Sequence, residues 1–163
     1  MDFLKELWES RAKEERGETE KFPDIFIWHE QVKKDEFLKK LFDLVCQKIK
    51  RYTATIKRRL ETLEDFNKEK NEDTKGELEI ADRNQRLAHE ALVSAINFFV
   101  RNCEQKGIQI DIDLEKIKDR DWSREWAIKN ASIVEKIIET EKEEHKNELA
   151  IKKKNKNKKE KQK

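Results

Sequence analysis

The stretch DEFLKKLFDLVCQKIKRYTATIKRRLETL, residues 35–63, decides the fold of this chain. Its apolar side chains recur in steps of three and four residues, at Leu38, Leu41, Val45, Ile49, Tyr52, Ile56, Leu60 and Leu63. The mean step of about 3.6 residues is the repeat of a straight α-helix and not the 3.5 of a coiled coil. The stretch therefore predicts one long helix of about seven or eight turns. Basic residues fill its outward faces, at Lys50, Arg51, Lys57, Arg58 and Arg59.

Further helices are predicted on both sides of this one. Apolar residues at helical spacing indicate them over residues 2–15, from about 77 to 105, at 114–118 and from about 121 to 151. Gly107 follows the pattern at residues 77–105, in the position of a helix-ending glycine. The expected fold class is all-α, an irregular antiparallel helical bundle of four to five helices.

Three connections join the predicted helices. Residues 22–29 are unusually apolar and contain Pro23, which predicts a loop packed across the bundle, with an exposed aromatic docking patch as the alternative. Asp24 is placed to cap whatever follows it. Residues 67–76 predict a charged, turn-rich loop. Residues 108–113 alternate apolar and acidic side chains, and with no partner strand in sight they predict a packed linker.

Charge divides the chain into two parts. Charged residues make up 45% of the sequence, and the last twelve residues carry eight lysines against Glu160, a local charge of +7 that leaves −5 on the rest. We expect a helical domain over residues 1–151 and a lysine-rich tail over residues 152–163 that is disordered or is the frayed end of the last helix. Such a tail attracts nucleic acid, an acidic protein surface or anionic lipid, unless it serves solubility alone. The lysines expected to bind are Lys152, Lys153, Lys154, Lys156, Lys158 and Lys159.

Several classes of protein are disfavoured by the composition. Cys46 and Cys103 lie within apolar helical patterns, far from each other, so we expect two small core residues and neither a metal site nor a cofactor. No run of 18 apolar residues occurs, and the N-terminus lacks the pattern of a secretory leader. We expect a soluble, cytoplasmic protein without a transmembrane segment. The bias toward Lys, Asn and Ile favours a bacterial source.

A polar stripe near the start of the helix predicted at residues 77–105 is the main candidate site. At about 100° per residue, Asp82, Arg86 and His89 fall in line with core positions of the same helix. Spacings of four and three residues allow a hydrogen-bonded chain along one face. Two interpretations follow, a structural network that closes the end of the core or a site that cleaves RNA or binds nucleotides.

The segment from Arg83 to His89 resembles the Arg-x(4–6)-His motif of HEPN-type helical ribonucleases. That resemblance covers seven residues and implies a small all-α dimer that acts without a metal. It also implies that His89 acts as general base or acid at a ribose 2′-hydroxyl while Arg83 stabilises the phosphorane. Because Arg83 points about 120° away from His89 along the helix, a shared substrate would lie near the helix start or between two subunits. Residues 82–101 are also similar to short helical bacterial proteins of unknown function.

Aromatic and acidic clusters mark the last predicted helix. Trp122 and Trp126, with Arg124 between them, fit packing at the end of the core, and they are also the best candidate for a surface that stacks on bases or on a partner's side chains. The acidic residues 139–144 predict a solvated face without a carboxyl pair of raised pKa. Neither His29 nor His145 has neighbours at the spacing of a metal site, so we expect each to be an ordinary surface or core residue.

The leading hypothesis is a small bacterial accessory protein that binds a protein or a nucleic acid through the bundle surface. In this hypothesis the basic tail supplies electrostatic attachment. The alternative is the helical ribonuclease, which requires His89 to be reachable by solvent and to lie near an arginine. A third possibility is a helical oligomer, such as a homodimer, whose polar stripe sets the register.

Overall fold

A computed structural model describes residues 22–161 of the chain, with side chains for residues 22–156. In this part the secondary structure consists of helices: α1 (Ile25–Val32), α2 (Glu36–Lys68), α3 (Glu72–Gln105), α4 (Leu114–Lys118) and α5 (Arg120–Lys161). The predicted all-α class is confirmed, and no strand occurs within these residues. The helix predicted over residues 2–15 lies outside the described residues.

Helices α2 and α3 form a long hairpin with a short turn. Asp35 caps α2 by accepting a 3.0 Å hydrogen bond from the Leu38 amide. At the start of α3, the Asn71 side chain accepts from the Thr74 amide at 2.9 Å, and the Thr74 hydroxyl accepts from the Asn71 amide at 3.1 Å. This capping box begins the helix at Glu72 and carries it through Gly76. The prediction of a loop over residues 67–76 is therefore wrong except at residues 69–71, which join the two helices.

Two ion pairs fix the register of the hairpin. The Lys106 ammonium lies 2.7 Å from the Asp35 carboxylate at one end, and the Arg59 guanidinium binds the Asp82 carboxylate nearer the turn. The partners are 24 residues apart on both helices, so α2 and α3 run antiparallel with an even register. Arg58 consequently lies level with Arg83 along the hairpin.

Helix α1 occupies the segment for which a loop was predicted. The Asp24 carboxylate accepts a 2.8 Å bond from the Phe26 amide and caps the helix directly after Pro23. Ile25, Trp28 and Val32 are buried at spacings of three and four. That spacing is helical, and the loop prediction gave too much weight to the proline and too little to the cap.

Aromatic side chains from four helices meet in the core. The Trp28 ring lies 5.5 Å from that of Trp126 and 6.0 Å from that of Phe99, and the Phe42 and Phe99 rings are 5.9 Å apart. Tilted ring pairs at these distances are favourable beyond the burial of area. The two cysteines are free and buried in the same core, as predicted.

The connection from α3 to α5 follows the predicted course. Gly107 has a φ of 78°, a conformation that glycine adopts without the steric cost of a Cβ, and it ends α3. Residues 108–113 form a packed linker in which Ile110 is buried, and α4 spans the predicted residues.

The last helix is longer than predicted. Helix α5 comprises 42 residues and continues through Lys152–Lys161, where the disordered tail was expected. No glycine or proline interrupts it, and most of its residues favour helix. Lysines near a helix C-terminus also interact favourably with the helix dipole. The expectation of disorder therefore finds no support over these residues.

Within residues 22–161, no helix combines the length and the apolar character needed to cross a membrane.

Candidate functional site

The second half of α5 projects from the bundle. Ile137 is the last buried residue among the side chains of α5 that the structure describes, and every side chain from Lys142 to Lys156 is exposed. We call residues 142–161 the basic arm. At 1.5 Å per residue the arm is about 30 Å long. Its described lysines near the end, Lys152, Lys153, Lys154 and Lys156, are free of contact with the core and accessible to a large partner.

A cluster of titratable groups lies where the arm leaves the bundle. The Glu141 carboxylate of α5 is 3.5 Å from the Lys39 ammonium of α2 and 4.0 Å from the His29 imidazole of α1. Glu141 also hydrogen-bonds with the carboxyl group of Asp43. Burial, together with the adjacent Glu141 charge, raises the pKa of Asp43 to about 6. The root of the arm is therefore sensitive to protonation near neutral pH.

Beside this cluster, a groove of about 780 Å³ runs between α1 and α5. Its apolar floor is formed by Phe26, Ile133 and Ile137. Its charged rim contains four lysines and four acids: Lys33, Lys34, Lys39, Lys136, Asp24, Glu30, Glu141 and Glu144. Because the two signs balance, the groove does not by itself favour a polyanion.

Sequence reasoning missed this cluster. The acidic run at residues 139–144 was expected to contain no carboxyl pair of raised pKa, and the pair that forms joins Glu141 to Asp43, which lies on another helix outside the run. His29 was interpreted as a lone histidine for the same reason. The available signal was Asp43 itself, an acid placed between Phe42 and Leu44 in an apolar run.

The predicted polar stripe is divided between the surface and the core. Asp82 is exposed and binds Arg59 across the hairpin, and Arg86 is exposed as well. His89 turns inward and is 6% exposed. The three residues share one helix face in projection, but the neighbouring α2 draws Asp82 toward itself while α4 and α5 enclose His89.

His89 joins α3 to the junction of α4 and α5. Its Nε2 atom lies 3.0 Å from the Ile117 carbonyl oxygen and 3.1 Å from the Ser123 hydroxyl oxygen. A carbonyl oxygen only accepts hydrogen bonds, so Nε2 carries the hydrogen and donates it. The Ser123 hydroxyl in turn donates to the same carbonyl. The Tyr52 ring covers the imidazole at a centroid distance of 5.6 Å.

The residues of the HEPN-type motif differ sharply in their surroundings. Arg83 is exposed on the outer side of α3, whereas His89 is enclosed with Nε2 engaged at the α4–α5 junction. Acid–base chemistry at a ribose would require His89 to release that bond. The ribonuclease activity and the homodimer implied by the resemblance stay predictions.

The tryptophan pair closes one end of the core. Trp126 has no exposed surface, and its indole Nε1 donates a 3.0 Å bond to the Pro23 carbonyl oxygen. Trp122 is partly buried, stacked on Trp126 at 6.5 Å and against Phe22 at 5.2 Å. Arg124 is partly buried. Of the two tryptophans, Trp122 is the one whose ring is partly exposed and accessible to a partner.

Comparison with known proteins adds no assignment. The chain matches no family model, and neither the curated proteins nor the solved structures give a match. In residues 22–161, no group of three or more His, Cys, Asp or Glu side chains is placed to hold a metal ion. The candidate sites therefore rest on the geometry of this chain alone.

Proposed function

We propose that this chain is a non-enzymatic accessory protein that attaches to nucleic acid through the basic arm. The observation that carries the proposal is the continuation of α5 beyond the core, which leaves Lys152, Lys153, Lys154 and Lys156 exposed and away from the bundle. A lysine held on a projecting helix reaches a phosphate without displacing any contact of the fold. Binding therefore adds no cost of local unfolding.

The charge distribution orients the protein on a polyanion. Residues 152–163 carry a charge of +7, and the other residues sum to −5. A polyanion thus attracts the end of the arm and repels the rest of the chain on average. This separation makes the end of the arm the main point of attachment, in contrast to the coating expected of a uniformly basic protein.

The arrangement of the lysines favours binding without sequence recognition. At about 100° per residue, Lys152, Lys153, Lys154 and Lys156 spread around the helix and do not form a single stripe. Lysine acts on phosphate as a point charge and reads no base. The expected interaction is therefore strongly dependent on salt and tolerant of sequence.

The test compares two variants that lose the same charge. One replaces Lys152, Lys153, Lys154 and Lys156 with Gln, and the control replaces the exposed Lys40, Lys57, Lys70 and Lys75 with Gln. Fluorescence anisotropy with a labelled duplex of about 24 base pairs gives the affinity from about 50 to 200 mM salt. We expect the arm variant to bind about a hundredfold more weakly, with a salt slope reduced by about three to four.

Three other outcomes would contradict the proposal. Equal losses in the two variants would mean that general charge, and not the arm, determines binding. Equally tight binding to polyglutamate would indicate an acidic protein as the partner. Cleavage of labelled RNA that is lost in both His89→Ala and Arg83→Ala would favour the ribonuclease.

A further inference from the structure

A second basic surface lies on the outer side of the α2–α3 hairpin. Two adjoining shallow pockets, of about 190 and 240 Å³, open between the two helices. We call their lining the hairpin face, which consists of Arg51, Ala54, Thr55, Arg58, Glu77, Ile80, Ala81 and Asn84.

The arginines of this face have few ion pairs with acidic residues of the described chain. Arg51 makes no ion pair with any residue that the structure describes. Arg58 has an exposed contact of 3.6 Å with Glu61, of the kind that contributes little in water. These guanidinium groups are free to bind an external anion.

The floor between the arginines is low and polar at its edge. Ala54 and Ala81 lack long side chains, so an anion can approach the helices closely. The Asn84 amide borders both pockets and supplies a neutral donor. Arginine binds phosphate oxygens in a forked geometry, which makes it the side chain best suited to this ligand. Glu77 is the single acid in the lining.

We propose that the hairpin face binds the phosphate groups of the same nucleic acid that the basic arm attaches to, an inference that rests on the proposed function. Helices α2 and α5 run antiparallel, with Lys39 beside Glu141 and Lys50 beside Glu135. From that level, Arg58 lies 19 residues along α2 and Lys152 lies 11 residues along α5 in the opposite direction. The two sites are therefore about 45 Å apart along the bundle, the length of about 13 base pairs.

The experiment uses the full chain and two double variants. Arg51→Gln with Arg58→Gln removes two charges from the hairpin face. The control, Lys50→Gln with Lys57→Gln, removes two exposed charges at the same spacing on another face of α2. Each protein is titrated against duplexes of about 8 and about 24 base pairs, of which only the longer spans both sites.

We expect the arginine variant to bind the longer duplex about tenfold more weakly than the control, with a salt slope lower by about two. With the shorter duplex the two variants should agree, because the arm alone holds it. Agreement on both duplexes would overturn the hairpin face while leaving the arm intact. Absence of any binding by the wild type would overturn the proposed function and this inference together, as would binding confined to anionic lipid vesicles.

Discussion

The two halves of α5 share a helical backbone but differ in burial and in charge. The first half places Trp126, Ala127, Ile128, Val134 and Ile137 in the core, whereas every described side chain beyond Glu141 is exposed. Both halves lack glycine and proline. The comparison shows that local propensity keeps a helix continuous, while the spacing of apolar residues decides which part of it docks. In the proposed function, the projecting half binds nucleic acid through its charge.

The apolar residues of the projecting half confirm the contrast. Leu149 and Ile151 are 52% and 59% exposed, and they are two residues apart, a spacing that places them on different sides of a helix. They do not form the stripe needed to bury against a neighbour.

The largest difference between the halves should appear in stability. Trp126→Ala removes a fully buried ring that packs on Trp28 and donates to the Pro23 carbonyl oxygen. We expect the free energy of unfolding to fall by about 3 to 5 kcal/mol. Leu149→Ala in the projecting half is the control, with an expected change below about 0.5 kcal/mol. Urea denaturation followed by circular dichroism measures both, and comparable losses would show that the arm packs against the bundle.

A smaller effect is expected at the junction where α5 begins. His89→Ala leaves the buried Ile117 carbonyl with the Ser123 hydroxyl as its remaining side-chain donor and opens a space beside Tyr52. We expect a loss of about 2 kcal/mol in the free energy of unfolding. Arg83→Ala, at an exposed position, should change it by less than about 0.5 kcal/mol. Equal effects on stability would contradict the structural role of His89.

The smallest expected effect is the pH dependence at the root of the arm. The pKa of Asp43 is raised from 3.8 to about 6, so between these values the folded chain holds a proton that the unfolded chain has released. The resulting stabilisation is complete below pH 3.8 and is lost as the pH rises through about 6. Asp43→Asn should reduce this dependence and raise the stability at pH 7 by about 1 kcal/mol. An unchanged pH profile of urea denaturation would exclude Asp43 as its source.

Periodicity made most of the fold predictable. The steps of three and four from Leu38 to Leu63 predicted α2, and Gly107 marked the end of α3. The errors lie at helix starts. At Asp24 and Asn71 a capping side chain begins a helix that the composition of the segment obscured. A cap satisfies backbone amides that would otherwise lack partners, and this local effect exceeds the influence of nearby proline or glycine.

The candidate sites were less predictable because they depend on contacts between helices. The stripe at Asp82, Arg86 and His89 was expected to follow the core positions of α3, but the sequence could not show that α2 binds Asp82 at the surface while α4 and α5 enclose His89. Asp43 and Glu141 are 98 residues apart, and nothing local links them. The lysines of the arm were visible at once, since their exposure follows from the end of the apolar pattern.

Removal of residues 152–163 tests the central claim most directly, because it takes away the charged end of the arm and none of the residues that the structure describes as buried. Binding to a duplex of about 24 base pairs and the free energy of unfolding are measured on the same truncated protein. The account predicts a loss of affinity of about a hundredfold or more near 0.1 M salt, with stability changed by less than about 0.5 kcal/mol. Unchanged affinity would contradict it.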